Sequence, residues 1–235
     1  MVQVARFQTR VGFVAAAVGA IVDEWRRCAG RKHGFTLVLS GGATPRPVYE
    51  ALAKSLRKSG VQWQGTHVFF GDERMLPAGH PQRNETMARE SFLDRVPLPE
   101  GNVHPIPVAA TPEESATLYE QEIGAVFGSR PSFDLVLLGM GPDGHTASLF
   151  PDSPALMERN RWAVAVPAPE MKPRVPRVTL TLPVLNASSR VLFLVSQQGK
   201  EKALESVLHS GSCPGLPAAR VSSPRTDWFI DASSE

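Results

Sequence analysis

The sequence contains little cysteine. Only Cys28 and Cys213 occur in 235 residues, and they have neither metal-ligand spacing nor the density of a secreted disulfide framework. A His-Glu-x-x-His zinc motif is also missing. We therefore expect two reduced thiols, a cytosolic protein and no bound metal.

Excess charge of one sign is equally scarce. The 25 Lys and Arg residues nearly balance the 23 Asp and Glu residues, so that the formal net charge is +2. The basic residues are spread along the chain, which gives little support to a nucleic-acid surface or a polybasic membrane patch. A small anionic substrate fits this composition better, and we expect neither nucleic acid nor membrane among the partners.

The sequence has no apolar run long enough to span a bilayer. Val11–Val22 follows Arg6 and Arg10 and so resembles the apolar region of a signal peptide. This run is rich in alanine and passes into Asp23 without a convincing cleavage site, which makes the signal peptide the weaker interpretation. Five apolar residues instead recur at helical spacing and predict the buried face of a first helix: Val14, Val18, Ile21, Val22 and Trp25.

Apolar, β-rich segments alternate with helical patterns from end to end. This alternation is typical of a mostly parallel sheet covered on both faces by helices, and the length suits one domain over residues 1–235. We expect it to be a monomer or a weak homo-oligomer. Strands are predicted at Thr36–Leu39, His67–Phe70, Asp134–Leu138, Trp162–Val166, Val178–Leu182, Val191–Val195 and Trp228–Ile230. Further helices are predicted at Pro47–Lys58, Glu85–Arg95, Pro112–Phe127 and Lys200–His209, and loops at Pro167–Pro176 and Ser210–Pro217.

Ligands of open parallel sheets collect beyond the carboxyl ends of the strands, and the segment Ser40–Pro45 follows one such strand. Gly41 and Gly42 allow close backbone approach, and Thr44 offers a hydroxyl group. The next helix begins with free N–H groups that favour an anion. The pattern is neither a nucleotide P-loop nor a dinucleotide fingerprint. It indicates an anion cradle, with a plain strand-to-helix turn as the alternative.

Charged residues follow two other predicted strands. Asp72, Glu73 and Arg74 come directly after His67–Phe70, where carboxylates and a guanidinium group suit hydroxyl and phosphate ligands. A solvated, self-paired turn is the alternative. Lys200 begins a predicted helix, where a bound anion would offset its unfavourable position in the helix dipole. A surface lysine is the alternative, and the position alone favours it.

The segment Gly139–Pro151 carries the strongest signal of catalysis. Its glycines and proline fix a tight backbone path that brings Asp143 and His145 together at the end of a strand. An acidic residue two positions away can orient the imidazole or hold substrate hydroxyl groups. The other five histidines lack such a setting, and we interpret them as surface or hydrogen-bonded residues.

Taken together and in this order, these segments resemble the 6-phosphogluconolactonase family from about Leu37 to Trp228. The most specific part is Gly139–Pro151, and Asn84, Arg177–Pro183 and Gly199-Lys200 also follow the family's order. The sequence departs from the family pattern in two places. Gln82-Arg83 stand where Asp-Ser is common, and Gln197 stands where glycine is common.

The resemblance implies hydrolysis of 6-phospho-D-glucono-1,5-lactone to 6-phosphogluconate, the second step of the oxidative pentose phosphate pathway, without metal or organic cofactor. It also implies the three-layer α/β/α, Rossmann-like fold shared with glucosamine-6-phosphate deaminases and sugar-phosphate isomerases. A deaminase of this fold is the first alternative, because such enzymes resemble this chain around Asp-Gly-His. They place a glutamate where Phe150 stands, however, and the absence of that carboxylate weighs against deamination. A non-catalytic sugar-phosphate sensor is the second alternative, and the intact His145 argues against it.

Without a nucleophilic serine elbow or a zinc motif, direct attack by water is favoured. We expect neutral His145 to take a proton from the water and return it to the ring oxygen, with Asp143 orienting it. Backbone N–H groups of the glycine loops are candidate oxyanion donors. The candidate substrate-binding residues are Gly41, Gly42, Thr44, Asp72, Arg74, Asn84, Gly144, Arg177 and Lys200.

Overall fold

The computed structural model describes residues 2–28, 30–31, 34–56, 63–209 and 215–233. The strands are β1 (Val2–Phe7), β2 (Phe35–Leu39), β3 (Thr66–Phe70), β4 (Asp72–Arg74), β5 (Leu135–Leu138), β6 (Ala163–Val166), β7 (Arg177–Leu180), β8 (Val191–Ser196) and β9 (Thr226–Asp231). The helices are α1 (Arg10–Cys28), α2 (Arg46–Leu56), α3 (Asn84–Ser91), α4 (Pro112–Phe127), α5 (Leu182–Ala187) and α6 (Glu201–His209).

Six strands form a wholly parallel sheet in the order β1-β9-β8-β5-β2-β3. Strands β2 and β5 are completely buried and, apart from Thr36, apolar, as expected where helices cover both faces of a parallel sheet. The predicted α/β/α fold class is therefore confirmed. The parallel arrangement also brings the carboxyl ends of β2, β3, β5 and β8 to one edge.

Helix α1 packs on this sheet through a face slightly different from the predicted one. Ile21, Val22 and Trp25 are buried as predicted. In the N-terminal half of the helix, however, the buried residues are Phe13 and Ala17. Val14 and Val18 are only partly buried and pack at its margin. No helix within the described ranges is both long and apolar enough to cross a bilayer.

A second, antiparallel sheet in the order β4-β7-β6 corrects the prediction for two strands. The strands predicted at Trp162–Val166 and Val178–Leu182 belong to this small sheet and not to the parallel one. The predicted strand ending at Leu182 is also too long, because α5 begins there with a proline in its first turn. Strand β4 was not predicted, since its three charged residues have no apolar pattern.

Other differences concern the ends of the chain and of the helices. The edge strand β1 was missed, and most of its residues are exposed or half-buried. Helix α3 ends at Ser91 and is followed by a separate helical turn at Leu93–Arg95. Residues 57–58 of the predicted second helix lie outside the described residues, as does most of the predicted loop at Ser210–Pro217.

Cys28 is a buried free thiol at the end of α1. Burial, assisted by the neighbouring Asp134 carboxylate, raises the pKa of Cys28 to about 12. The thiolate that would react is therefore scarce at neutral pH. Cys213 lies outside the described residues.

Candidate active site

A cavity of about 310 Å³ lies where the loops after β2, β3, β5 and β8 meet. Nine of the predicted site residues line it: Gly41, Gly42, Thr44, Asp72, Arg74, Asn84, His145, Arg177 and Lys200. Asp143 and Gly144 are not part of the lining. The edge of the parallel sheet therefore gathers most of the residues that the sequence analysis selected from separate segments.

The loop after β5 holds His145 against Asp143. The Nδ1 atom of His145 lies 2.6 Å from Oδ1 of Asp143, which also accepts the His145 backbone N–H at 3.2 Å. A Cβ atom on Gly141 would lie only 2.1 Å from the imidazole, so the loop can close on His145 only with glycine there. Asp143 therefore contacts the ring from outside the cavity lining.

The charge of Asp143 is stabilised by this contact. Although burial by itself would raise the pKa of Asp143, the hydrogen bonds from His145 and its charge lower it below the ordinary value. Asp143 is thus ionised at neutral pH. The His145 side chain is 14% exposed and has the Phe150 ring at 4.7 Å on one side, which limits its movement.

Gly144, a predicted substrate-binding residue, has both of its backbone polar groups paired within the protein. Its N–H group donates to the carbonyl oxygen of Gly141 at 3.0 Å, and its own carbonyl oxygen accepts from Ala218 at 3.0 Å. The N–H group of Gly141 is likewise paired, with the carbonyl oxygen of His145 at 2.9 Å. Neither glycine N–H is therefore free to act as the oxyanion donor that the sequence analysis expected from this loop.

The loop after β2 has the free donors that an anion cradle needs. The hydroxyl group of Tyr49 holds Ser40 by accepting its N–H at 3.0 Å and donating to its carbonyl oxygen at 2.8 Å. Within the described residues, the N–H groups of Gly41, Gly42 and Ala43 have no hydrogen-bond partner. A Cβ atom on Gly41 would lie 1.8 Å from Oδ1 of Asn84, so only glycine permits this close approach.

Three basic side chains line the cavity: Arg74, Arg177 and Lys200. Arg74 and Arg177 lie directly opposite each other on β4 and β7. Burial lowers the pKa of Arg177, the Asp72 charge opposes this effect, and the Arg74 charge adds to it. Burial also lowers the pKa of Lys200. In the part of the chain described here, no carboxylate lies within 4.0 Å of Lys200, so a bound anion would stabilise all three charges.

The guanidinium groups keep unpaired donors. Arg74 donates from Nη1 to the carbonyl oxygen of Gln82 at 2.6 Å, and Arg177 is only 3% exposed. The Nε atoms of both arginines are buried and have no hydrogen-bond partner among the described residues. Unpaired buried donors are costly, and a phosphate oxygen would satisfy them.

Asp72 is the centre of a buried hydrogen-bond network. Its Oδ2 atom accepts from the Ser148 hydroxyl group at 2.5 Å, and its Oδ1 atom accepts from the Asn84 amide at 3.0 Å. Nη1 of Arg177 lies 3.9 Å from Oδ2. Sequence reasoning missed Ser148, although it lies within Gly139–Pro151, because a serine three residues after His145 has no distinctive pattern of its own.

Glu73 lies on the side of β4 opposite to Asp72 and Arg74 and does not line the cavity. This corrects its interpretation as a residue that binds substrate. Its carboxylate accepts the backbone N–H groups of Arg74, Asn84 and Glu85 at 2.8, 2.8 and 2.9 Å. Glu73 thereby fixes the start of α3 against β4. Arg83 is 1% exposed and lies 3.7 Å from Glu73.

The profile of the family described as glucosamine-6-phosphate isomerases/6-phosphogluconolactonase matches residues 8–230. The chain belongs to this family. The match covers every residue that lines the cavity and leaves out β1 at the edge of the parallel sheet.

Relatives within the family are similar over most of their length. The 6-phosphogluconolactonase of Synechocystis sp. is 43% identical over 83% of this chain and 81% of its own. The human 6-phosphogluconolactonase is 38% identical over 94% of this chain and 88% of its own. These relatives confirm the predicted family and the predicted class of lactone-hydrolysing enzyme.

Solved structures of the family confirm the fold. A crystal structure of 6-phosphogluconolactonase from Thermotoga maritima superposes with a TM-score of 0.86 at 33% identity, covering 99% of this chain and 100% of its own. A monomeric glucosamine-6-phosphate deaminase has the same fold, with a TM-score of 0.83 at 20% identity over 97% of both chains. That second likeness concerns the fold alone.

Two of the other histidines contact each other away from the cavity. Nδ1 of His67 lies 2.9 Å from Nε2 of His104, and the two rings stack. Burial lowers the pKa of both, and for His67 the His104 charge acts in the same direction. His33 and the side chain of His209 lie outside the described residues.

Proposed function

We propose that this family member hydrolyses 6-phospho-D-glucono-1,5-lactone to 6-phospho-D-gluconate in the oxidative pentose phosphate pathway. The observation that carries the proposal is the His145–Asp143 pair at 2.6 Å, beside a cavity that three basic residues also line. An activated ester with a phosphate group needs both a base for water and cations for its charge. A cytosolic location, one domain, and a monomer or weak homo-oligomer belong to the same proposal.

His145 acts as the general base. Because the Asp143 carboxylate lies 2.6 Å from Nδ1, we assign the proton of the neutral ring to that nitrogen, which leaves Nε2 able to accept a proton. Nε2 accepts a proton from water while the water oxygen bonds to the lactone carbonyl carbon. The tetrahedral intermediate then collapses, the bond to the ring oxygen breaks, and the imidazolium returns the proton to that oxygen.

The phosphate group binds to Arg74, Arg177 and Lys200, with the N–H groups of the Gly41–Thr44 turn as further donors. A planar guanidinium group suits phosphate oxygens, and both arginines have an unpaired buried Nε atom. Asp72 and Asn84 lie beside them and are available for the sugar hydroxyl groups. Phe150 lies at 4.7 Å from His145, where a carboxylate would be required for the alternative of deamination.

The decisive experiment is a lactonase assay on freshly generated 6-phosphogluconolactone, corrected for spontaneous hydrolysis. Catalysed hydrolysis supports the proposal. Failure to accelerate hydrolysis, together with release of ammonia from glucosamine-6-phosphate, would favour the deaminase. Binding of both sugar phosphates without turnover of either would favour the sensor.

The proposed reaction uses only groups of the chain, so activity should survive exhaustive chelation. The measurement compares initial rates before and after treatment with EDTA followed by removal of the chelator. Loss of activity, with recovery on addition of zinc, would overturn this part of the proposal.

A further inference from the structure

The Asp72 carboxylate is held by two uncharged donors. Ser148 donates its hydroxyl proton to Oδ2 at 2.5 Å, and Asn84 donates from Nδ2 to Oδ1 at 3.0 Å. Ser148 is completely buried and Asp72 is 6% exposed, so that neither hydrogen bond competes with bulk water. Both oxygen atoms of the carboxylate therefore have a fixed partner other than arginine.

The Arg177 guanidinium group beside it has not formed a close ion pair. Nη1 lies 3.9 Å from Oδ2 of Asp72, whereas a charge-assisted hydrogen bond between such groups is typically about 2.7–2.9 Å long. The other donors of Arg177 are equally weakly used, because Nη2 lies 3.5 Å from the carbonyl oxygen of Pro173 and Nε has no partner in the described part of the chain. A buried guanidinium group that lines the cavity thus retains its donors.

We propose that Ser148 is a positioning residue that engages Asp72 and thereby keeps Arg177 available for the phosphate group of the substrate. The inference rests on the proposed function in one respect, namely that the anion is the phosphate of a sugar lactone. Without the Ser148 hydroxyl group, Oδ2 of Asp72 gains a free lone pair and closes on Arg177. The pair then competes with the anion for the same N–H groups.

Removing the hydroxyl group leaves the loop anchored by other contacts. The backbone N–H of Ser148 donates to the Thr179 hydroxyl group at 3.1 Å. On either side, Leu149 donates to the carbonyl oxygen of Thr146 at 2.9 Å, and the Thr146 hydroxyl group donates to Gly139 at 2.8 Å. Ser148→Ala is therefore expected to fold and to keep the path of the loop.

The test compares binding of inorganic phosphate by calorimetry in the wild type and in Ser148→Ala. We expect Kd to rise at least about tenfold, since one charge-assisted hydrogen bond to the anion is weakened. With the phosphorylated lactone, KM should rise by a similar factor while kcat changes little. The double variant Ser148→Ala/Asp72→Asn removes the competing charge, and phosphate affinity should recover.

Ser188→Ala is the matched control. Ser188 is also completely buried, but its hydroxyl group donates to the carbonyl oxygen of Val184 at 2.9 Å, and it lies just before β8, at the edge opposite the cavity. The Ser188→Ala variant should lose about as much thermal stability as Ser148→Ala and leave phosphate affinity unchanged.

An unchanged phosphate Kd in Ser148→Ala, or a loss that the double variant does not reverse, would overturn the proposal. A fall in kcat without a rise in KM would also overturn it, because Ser148 would then act on the chemical step. The calorimetric result does not depend on turnover. If the wild type binds phosphate in the expected pattern but does not hydrolyse the lactone, the proposed function fails while the role of Ser148 stands.

Discussion

The two sides of the cavity differ in how their polar groups are paired. On the side of the loop after β5, the hydrogen bonds of His145, Asp143, Gly141 and Gly144 among the described residues are with one another or with Ala218. On the other side, Arg74 and Arg177 retain buried Nε atoms without a partner among the described residues. One side is complete before a ligand binds, and the other is completed by the ligand.

This difference corresponds to two kinds of work. A general base must have its orientation and tautomer fixed in advance, and internal hydrogen bonds achieve this. A group that binds an anion must keep its donors free, although an unpaired buried donor lowers the stability of the empty protein. If the two sides differ in this way, variants on the side of His145 should change kcat, and variants on the side of the arginines should change recognition of phosphate.

The largest effect is expected for His145→Ala. Loss of a general acid–base group should lower kcat by roughly 10²–10⁴-fold, with the fold retained. The measurement is kcat together with a thermal melt. His80→Ala, which removes a histidine outside the cavity lining, is the control, and near-normal turnover in a folded His145→Ala variant would remove the base from the mechanism.

An intermediate effect is expected on the phosphate side. Lys200→Ala or Arg74→Ala should lower kcat/KM for the phosphorylated lactone roughly 10- to 150-fold, since a hydrogen bond to a charged group contributes about 1.5–3 kcal/mol. Unphosphorylated gluconolactone should be a poor substrate of the wild type and should lose little further in either variant. Lys202→Ala, on the exposed face of α6, is the matched control for Lys200.

Equal losses on the two lactones would break the comparison between the sides of the cavity. Lys200 and Arg74 would then serve folding or the chemical step, and the phosphate would bind elsewhere.

The smallest effect concerns the His67–His104 pair, in which Nδ1 of His104 lies 3.5 Å from the Glu122 carboxylate, whereas Nδ1 of His145 lies 2.6 Å from Asp143. Burial lowers the pKa of both histidines in the folded protein. Their contribution to stability is therefore complete above the unfolded pKa of about 6.5 and is lost as the pH falls below it toward the folded values. Between about pH 7.5 and 5.5, we expect the melting temperature of His67→Gln to fall less than that of the wild type.

The comparison with His80→Gln isolates this effect from general acid destabilisation. If the melting temperature falls equally in the wild type, His67→Gln and His80→Gln, protonation of the His67–His104 pair does not control the acid sensitivity of the fold.

Much of the fold could be predicted because its central strands are long apolar runs separated by clear helical patterns. The small sheet could not be assigned in the same way. Strand β4 consists of Asp72, Glu73 and Arg74, whose pairing with β7 depends on residues more than a hundred positions later in the chain. Similarly, periodicity placed α1 but not the exact centre of its buried face, because Val14 and Phe13 both lie close to the sheet.

The site was predictable where a motif is local. Asp143 and His145 lie two residues apart, so the glycine loop between the strand and Pro151 indicated their contact directly. The roles of Glu73 and Ser148 depend on contacts with other segments. Nothing in the sequence distinguishes the carboxylate that fixes α3 from its neighbour Asp72, and the hydrogen bond from Ser148 to Asp72 spans 76 positions.

The base and the two arginines of the cavity belong to different sheets. His145 follows a strand of the parallel sheet, whereas Asp72, Arg74 and Arg177 lie on β4 and β7 of the antiparallel one. The span between the base and the arginines, and with it the length of the substrate that fits, is therefore set by how one sheet is seated on the other. Changing a core side chain between the sheets would then alter the preferred distance from carbonyl to phosphate in the substrate, without altering any residue that the substrate touches.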